Sequence, residues 1–213
     1  MEFIDEAIEE YSRLFSDKPS DLLQSLDRET HARILQPRML SGHLQGRYLS
    51  MLSKLISPQL IVEIGTYTGY SALCLAEGLK PTGKLITIDI NEELESFTRS
   101  FFDRSEYAKQ IDYRIADAQQ ELTTVEGPID LVFIDADKSN YNTYFKMIIG
   151  KMNSGGVILS DNVLWSGKVV EEIEPNDKDT QALIEYNELL NNDDRIETIL
   201  LPIRDGLSIS RVK

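Results

Sequence analysis

Two short polar clusters stand out for what their side chains could do: Ile134-Asp135-Ala136-Asp137-Lys138 and Leu159-Ser160-Asp161-Asn162. Each follows an apolar run, Ile129 to Ile134 and Val157 to Leu159, that reads as a buried strand. Both clusters therefore fall where parallel strands end. In open α/β sheets, ligands bind in the crevice outside the carboxyl ends of the strands. Two carboxylates, an amide oxygen and a lysine gathered there would offer hard oxygen donors for a divalent cation beside a titratable amine. Taken alone, Asp135-Ala136-Asp137-Lys138 also fits a solvated loop with a local ion pair. A phosphoaspartate phosphatase, which also binds Mg²⁺ through an Asp-x-Asp after a strand, is a second rival. There the motif sits on the first strand with Thr or Val following, whereas here it follows the fourth strand and precedes Lys138.

A second constellation lies upstream. Ile61-Val62-Glu63-Ile64-Gly65-Thr66-Tyr67-Thr68-Gly69-Tyr70-Ser71 reads as a strand, a glycine turn and a helix start. Gly65 can take positive φ and let a ligand approach the backbone, while Gly69 opens the helix. Asp89 closes the next strand, where an acidic residue can accept hydrogen bonds from both ribose hydroxyls of a nucleoside. The bland reading is a structural turn with a solvated Asp, and the sharper rival is a dinucleotide site. The Gly-x-x-x-Gly spacing lacks the three-glycine fingerprint that seats a pyrophosphate. Glu63, just before the turn, would repel one. A cationic nucleoside, S-adenosylmethionine, fits this arrangement better than NAD.

The elements that must position these residues are legible from periodicity. Phe3, Ile4, Ala7, Ile8, Tyr11, Leu14 and Phe15 recur at helical spacing, and Pro19 ends that helix. Ser20-Asp21 can cap the next helix, carrying Leu22, Leu23 and Leu26, and Pro37 breaks it. Leu44, Tyr48, Met51, Leu52 and Leu55 mark a third helix ending near Pro58. From Leu60 strands and helices alternate. The strands are Leu60 to Ile64, Lys84 to Ile88, Ile111 to Ile115, Ile129 to Ile134 and Val157 to Leu159. Helices run over Gly69 to Leu79, through Leu94 to Phe102, and through Tyr144 to Ile149. That alternation implies a doubly wound, mostly parallel sheet. After Asp179 comes one more helix, then Ile196 to Leu201 and Leu207 to Ile209, close enough for an antiparallel hairpin. With no repeat or linker, one domain over residues 1–213 is expected, with 1–58 a helical cap and 59–213 the core.

The charge balance, 22 basic against 36 acidic residues, gives −14. Such a chain lacks the long-range basic footprint of a nucleic-acid binder and is poorly suited to an anionic membrane surface. The one cysteine, Cys74, lies in an apolar helical stretch and reads as a buried, inert thiol in a reducing compartment. No apolar run approaches the roughly 20 residues that span a bilayer. The acidic start, Met1 to Glu6, lacks the basic beginning of a signal peptide, so a cytoplasmic protein is expected. His31 and His43 have no second His or Cys at ligand spacing and read as surface or interface residues.

Four segments carry a family resemblance: Val62 to Ser71, Ile88-Asp89-Ile90-Asn91, Phe133 to Lys138, and Asp161-Asn162-Val163-Leu164-Trp165. In order and spacing they resemble the cation-dependent O-methyltransferases, a family that includes plant caffeoyl-CoA enzymes, catechol O-methyltransferase and small bacterial relatives. The resemblance runs from about Gln36 to the C-terminus, and the first 35 residues match loosely. It implies a Rossmann-like class I methyltransferase fold, seven-stranded with a C-terminal antiparallel hairpin and added N-terminal helices. It implies that Glu63, Gly65 and Thr66 line the methionine and ribose end of S-adenosylmethionine, with Ser71 near the carboxylate. Asp89 would bind the ribose, the Ala118 backbone the adenine, and Asp137 the methionine amino group. Met39 and Ser41 match positions that close over the cofactor.

The same resemblance implies that Asp135, Asp161 and Asn162 hold one divalent cation. Oxygen donors without His or Cys suit Mg²⁺, Ca²⁺ or Mn²⁺ rather than zinc or copper. Lys138 matches the family's general base, and Trp165 could wall the acceptor, the bland alternative being a rim residue that shields the core. Plant caffeoyl-CoA enzymes carry Asn where this chain has Ser166, and their coenzyme A-binding basic residues find no match. The expected acceptor is therefore a small ortho-dihydroxy aromatic rather than a coenzyme A thioester. The alternative is a hydroxylated uridine in tRNA, which some bacterial relatives methylate, although the −14 charge weighs against it. A non-catalytic scaffold is disfavoured because no catalytic position is degraded. A homodimer, paired through the N-terminal helices and the hairpin, completes the expectation.

Overall fold

Proline and polar caps set the boundaries of the first helices in the computed structural model, which describes residues 4–213. Phe3, counted above in the first helix, and the acidic start at Met1-Glu2 lie outside the described residues. Helices α1 (Glu6–Leu14), α2 (Asp21–Arg33) and α3 (Gly42–Ile56) follow one another, with a short 3₁₀ turn at Pro37–Met39. The Ser20 hydroxyl accepts from the Leu23 N–H and so caps α2. Beyond α3, Ser57 turns left-handed (φ 51°) just before Pro58.

The chain divides into two compact units, Glu6–Ala118 and Gln119–Lys213. In the first, β1 (Leu60–Ile64), α4 (Tyr70–Ala76), β2 (Lys84–Asp89), α5 (Glu95–Phe102) and β3 (Ile111–Ile115) alternate. Its strands lie in the order β3-β2-β1, all parallel, with Leu60 opposite Lys84 and Asp89 opposite Ile115. Ile61, Val62, Ile64, Leu85 and Ile88 are buried, as continuous apolar strands of a covered parallel sheet require. Helix α3 packs on α4 at Gly46, where a Cβ would stand 2.6 Å from the Tyr70 ring.

Helix α6 (Ala118–Thr124) begins at the unit boundary. The second unit then carries β4 (Ile129–Ile134), α7 (Tyr141–Ile148), β5 (Met152–Asp161), α8 (Lys178–Asn192), β6 (Ile196–Leu201) and β7 (Leu207–Val212). Its strand order is β4-β5-β7-β6. β4 and β5 are parallel, whereas β7 runs antiparallel to both its neighbours. The fold is thus a seven-stranded mixed sheet, mostly parallel, with a C-terminal antiparallel hairpin. Among the described residues, no helix is long and apolar enough to cross a membrane.

Four strands, β1, β3, β4 and β6, have the bounds that the sequence predicts. β5 is longer because its first half, Met152-Asn153-Ser154-Gly155-Gly156, is polar and glycine-rich, and its register against β4 shifts between Ile129 and Leu131. Helix α6 has no apolar period to announce it, since only Leu122 is buried. Helix α4 stops at Ala76 instead of Leu79, where Gly78 and Leu79 make tighter three-residue turn bonds to Leu75 and Ala76.

Glu77, just past α4, collects Arg47 (2.6 and 3.0 Å), Ser50 (2.6 Å) and Lys54 (2.9 Å), all from α3. Burial alone would raise its carboxyl, but these donors outweigh it and hold the group down at about 2. A depressed folded value makes this contribution fully present above the ordinary 4.5 and lost as pH falls towards about 2. Thermal melts from neutral pH downwards should therefore show stability falling through that window. Glu77→Gln should lower the melting temperature at neutral pH and flatten the slope there. An unchanged slope would remove Glu77 as its source.

Candidate active site

The glycine turn is built around Asp89. Gly65 (φ 101°) leaves β1 and donates its N–H to the Ile88 carbonyl at 2.9 Å. Gly69 (φ 87°) caps α4, and a Cβ there would stand 2.5 Å from the Phe102 ring. Between them, the Tyr67 N–H donates to Asp89 Oδ2 at 2.6 Å, while Asp89 Oδ1 accepts from the Asn91 N–H at 2.9 Å. A carboxylate offers about four lone-pair sites, so each fixed oxygen keeps one free, which suits a vicinal diol. The Tyr67 amide is consumed by this bond and is no longer a donor for a phosphate. Glu63 is fully buried opposite Thr87 and accepts its hydroxyl, and the Thr66 and Thr87 hydroxyls lie 2.5 Å apart. Two carboxylates and no local basic side chain in the turn favour a ligand with a positive centre, so the residues present fit S-adenosylmethionine.

The remaining sequence-predicted cofactor residues of this unit lie on separate elements. Ser71 is buried in the first turn of α4, and Ala118 is half-buried at the start of α6. Met39 is exposed at the end of the 3₁₀ turn, and the half-buried Ser41 precedes α3. The Tyr67 hydroxyl donates to the Gln36 carbonyl at 2.8 Å, tying the segment that leads into Met39 to the glycine turn.

At the ends of β4 and β5, three acceptors converge on one nitrogen. Lys138 is only 7 % exposed, and its Nζ donates to Asp135 Oδ1 (3.1 Å), Asn162 Oδ1 (2.8 Å) and the Tyr141 hydroxyl (2.6 Å). All three ammonium protons are thereby used. The Asp161 side chain is buried and accepts the Asn162 N–H at 2.9 Å, while Asn162 itself is left-handed (φ 59°). Tyr141 is fully buried and donates to the Asp161 carbonyl at 3.0 Å. Burial, then the charges of Asp135 and Asp161, push its phenol well above the ordinary value, so it stays protonated. The Trp165 ring lies with its centroid 5.9 Å from Lys138 Nζ.

The donor chemistry fits a hard cation. Two of the expected ligand oxygens, on Asp135 and Asn162, already share one positive centre, with the ammonium as its stand-in. Among the described residues, no three His, Cys, Asp or Glu side chains form a metal-binding group. Asp137 is exposed and accepts from the Tyr144 hydroxyl at 2.6 Å and from the Asn140 amide. Beyond Asn162 the loop runs left-handed through Trp165 (φ 48°), Ser166 (φ 56°) and Gly167 (φ 87°). For the two residues with side chains, this conformation costs about 1–2 kcal/mol each.

Elsewhere the sequence reading is met. His31 is exposed beside Asp27, and His43 bonds the Asp17 carbonyl. Cys74 is buried, and burial pushes its thiol up to about 12, the mark of an inert cysteine. Tyr141 is the functional residue that sequence reasoning missed. As the first residue of α7 it reads as a core aromatic, and only its spacing of three from Lys138 hints at contact.

Comparison with known proteins agrees with this arrangement. The sequence profile of the O-methyltransferase family matches residues 13–213. Caffeoyl-CoA O-methyltransferase 1 of Arabidopsis thaliana is 36% identical over 198 residues, covering 86% of this chain and 75% of that protein. An O-methyltransferase from Bacillus cereus, solved with S-adenosylhomocysteine, superposes with a TM-score of 0.90 at 28% identity over 97% of each chain. The O-methyltransferase TomG from Streptomyces achromogenes, solved with S-adenosylmethionine, gives a TM-score of 0.88 at 26% identity over 97% of this chain and 96% of that one. The fold and the two clusters define a class I methyltransferase. The chain belongs to the O-methyltransferase family of which the caffeoyl-CoA enzymes are members, and it is an S-adenosylmethionine-dependent enzyme.

The Tyr141 hydroxyl both accepts from Lys138 and donates to the Asp161 carbonyl, so Tyr141→Phe isolates that bridge while keeping the ring. Removing one partner from a buried polar pair costs about 1–3 kcal/mol. Urea titration of this variant should show a loss in that range. A variant as stable as the parent would mean that the hydroxyl carries no such bridge.

Proposed function

We propose that the enzyme methylates one hydroxyl of a small ortho-dihydroxy aromatic acceptor in a divalent-cation-dependent reaction. The observation that carries this reading is the convergence of Asp135 and Asn162 oxygens, with Lys138, at the ends of β4 and β5. Asp135, Asp161 and Asn162 would hold the cation, Mg²⁺ first and Ca²⁺ or Mn²⁺ as alternatives. Glu63, Gly65, Thr66, Ser71 and Asp89, with Met39, Ser41, Ala118 and Asp137, would hold S-adenosylmethionine. When bound, the one supplies Lewis acidity at the acceptor hydroxyls and the other an electrophilic sulfonium methyl.

The chain's own residues supply the rest. Lys138 takes the proton of the attacking hydroxyl. It does so as the neutral amine, having released one proton to solvent, and leaves the step as the ammonium. Trp165 forms an aromatic wall beside it. Ser166, exposed where plant enzymes carry Asn, favours a free catechol over a coenzyme A thioester. The relatives are named for caffeoyl-CoA, an aromatic acyl thioester and not an RNA, and with the −14 charge this favours an aromatic acceptor over tRNA. A cytoplasmic setting belongs to the same reading and rests on the unpaired, buried Cys74.

Purified protein given S-adenosylmethionine, Mg²⁺ and caffeate should form the methyl ether, faster than with caffeoyl-CoA, and EDTA should abolish the product. Asp161→Ala should lose turnover while calorimetry shows cofactor binding intact. Lys138→Ala should keep cofactor binding and lose about 10²–10⁴-fold in kcat, partly recovered at high pH where hydroxide substitutes. Turnover that survives exhaustive chelation would remove the cation from the reaction.

A second copy of the chain is the proposed partner. Helix α1 buries none of its residues; Ile8, Tyr11 and Leu14 stand exposed on it and Phe15 just beyond it, the last two at 71% and 74%. A contiguous apolar stripe of this kind marks an interaction surface. Light scattering should give twice the 24.2 kDa of the chain, and Leu14→Glu with Phe15→Glu should halve it. A wild-type mass of 24.2 kDa at micromolar concentration would exclude the dimer.

A further inference from the structure

The loop after β5 and the turn between β6 and β7 are zipped together. Val163 donates its N–H to the Gly206 carbonyl at 3.1 Å, and Leu164 to the Asp205 carbonyl at 3.0 Å. Asn187 of α8 donates its side-chain amide to the Val163 carbonyl at 2.9 Å. Gly206 permits the approach, since a Cβ there would stand 2.7 Å from the Leu164 nitrogen. The next contact is of another kind: the Ser166 N–H donates to the Asp205 carboxylate. β5 and β7 pair with Asp161 opposite Leu207, so strand pairing fixes both ends of this junction.

That carboxylate sits where the backbone most needs it. Trp165 and Ser166 are consecutive left-handed residues with side chains, a conformation that persists only where the surroundings over-determine it. The Trp165 N–H reaches the Asn162 carbonyl at 3.2 Å and the Gly167 N–H reaches the Leu164 carbonyl at 2.9 Å, both within the loop. Asp205 supplies the hold from outside it, and a charged acceptor makes the stronger kind of hydrogen bond. The side chain so placed is Trp165, whose ring faces Lys138 Nζ at 5.9 Å.

We propose that Asp205 is a positioning residue that fixes the left-handed Trp165-Ser166 turn, holds the Trp165 ring over Lys138 and thereby sets how tightly the enzyme takes its aromatic acceptor. The acceptor half of this statement rests on the function proposed above. The placement half does not, and it has its own readout, because Trp165 is the only tryptophan in the chain. Fluorescence excited at the red edge, where tyrosine does not absorb, reports that loop alone.

Asp205→Asn keeps an oxygen that can accept the Ser166 N–H, so its emission maximum and acrylamide quenching should match the parent. Asp205→Ala should shift the emission to the red and raise the quenching constant. Its KM for caffeate should rise roughly three- to tenfold, as expected for one lost hydrogen bond, with kcat within about twofold and cofactor affinity unchanged. Asp205→Glu, which keeps the charge but moves the carboxylate by a methylene, should behave like the alanine variant and serves if the latter fails to fold. Parent-like fluorescence in both disrupted variants would overturn the placement of Trp165 by Asp205. A shifted fluorescence with unchanged caffeate KM would overturn the acceptor half. Absence of catechol turnover in the wild type would instead overturn the proposed function, while the fluorescence comparison still judges the placement of Trp165.

Discussion

A buried ammonium must be surrounded by acceptors, and Lys138 imposes that requirement on everything near it. Its Nζ is almost closed off from water and has three partners, one from each of three segments. β4 delivers Asp135, the left-handed residue after β5 delivers Asn162, and the first residue of α7 delivers Tyr141. Breaking a buried charge pair by removing one partner costs on the order of 3–5 kcal/mol, far more than the pair contributes net. The arrangement is therefore a specification of geometry more than a source of stability. If the proposed divalent cation binds here, it finds the oxygens of Asp135 and Asn162 already aimed at one positive centre.

The glycine turn follows a different logic. Its fixed points are carboxylates rather than free amides. Asp89 takes the Tyr67 N–H, and Glu63 is packed against Thr87 within the sheet. A phosphate-binding turn keeps its N–H groups for the ligand. This one has committed an amide to orienting an acid, which suits a ligand with hydroxyls and a positive centre. The distinction rests on two side chains and one backbone bond, and it separates a methyl donor from a dinucleotide within closely similar strand-turn-helix units.

Much of this was legible in the chain. Continuous apolar runs located β1 and β4, because strands covered on both faces need no alternation, whereas the edge strands β3 and β6 mix apolar and polar residues. Prolines at 19, 37 and 58 and the Ser20 cap bounded the N-terminal helices. What escaped had weak local signals. The first half of β5 is glycine and polar residues paired through backbone bonds, and α6 buries only Leu122. Within the site, Asp135, Lys138 and Asn162 were legible as strand-end polar residues. Tyr141 was not, because an aromatic at a helix start looks like core. Asp205 was not, because Arg204-Asp205-Gly206 reads as an ordinary hairpin turn and its partner Ser166 lies far away in sequence.

In the proposed reading, the oxygens of Asp135 and Asn162 form a cation site which Lys138 satisfies in the resting protein. The direct measurement is Mn²⁺ binding followed by electron paramagnetic resonance, comparing the wild type with Lys138→Met, which keeps the length of the side chain and removes its charge. The wild type should bind Mn²⁺, and Lys138→Met should bind it more tightly, because a competing positive charge is gone. A wild type that fails to bind Mn²⁺, or a Lys138→Met variant with unchanged or weaker affinity, would contradict this reading.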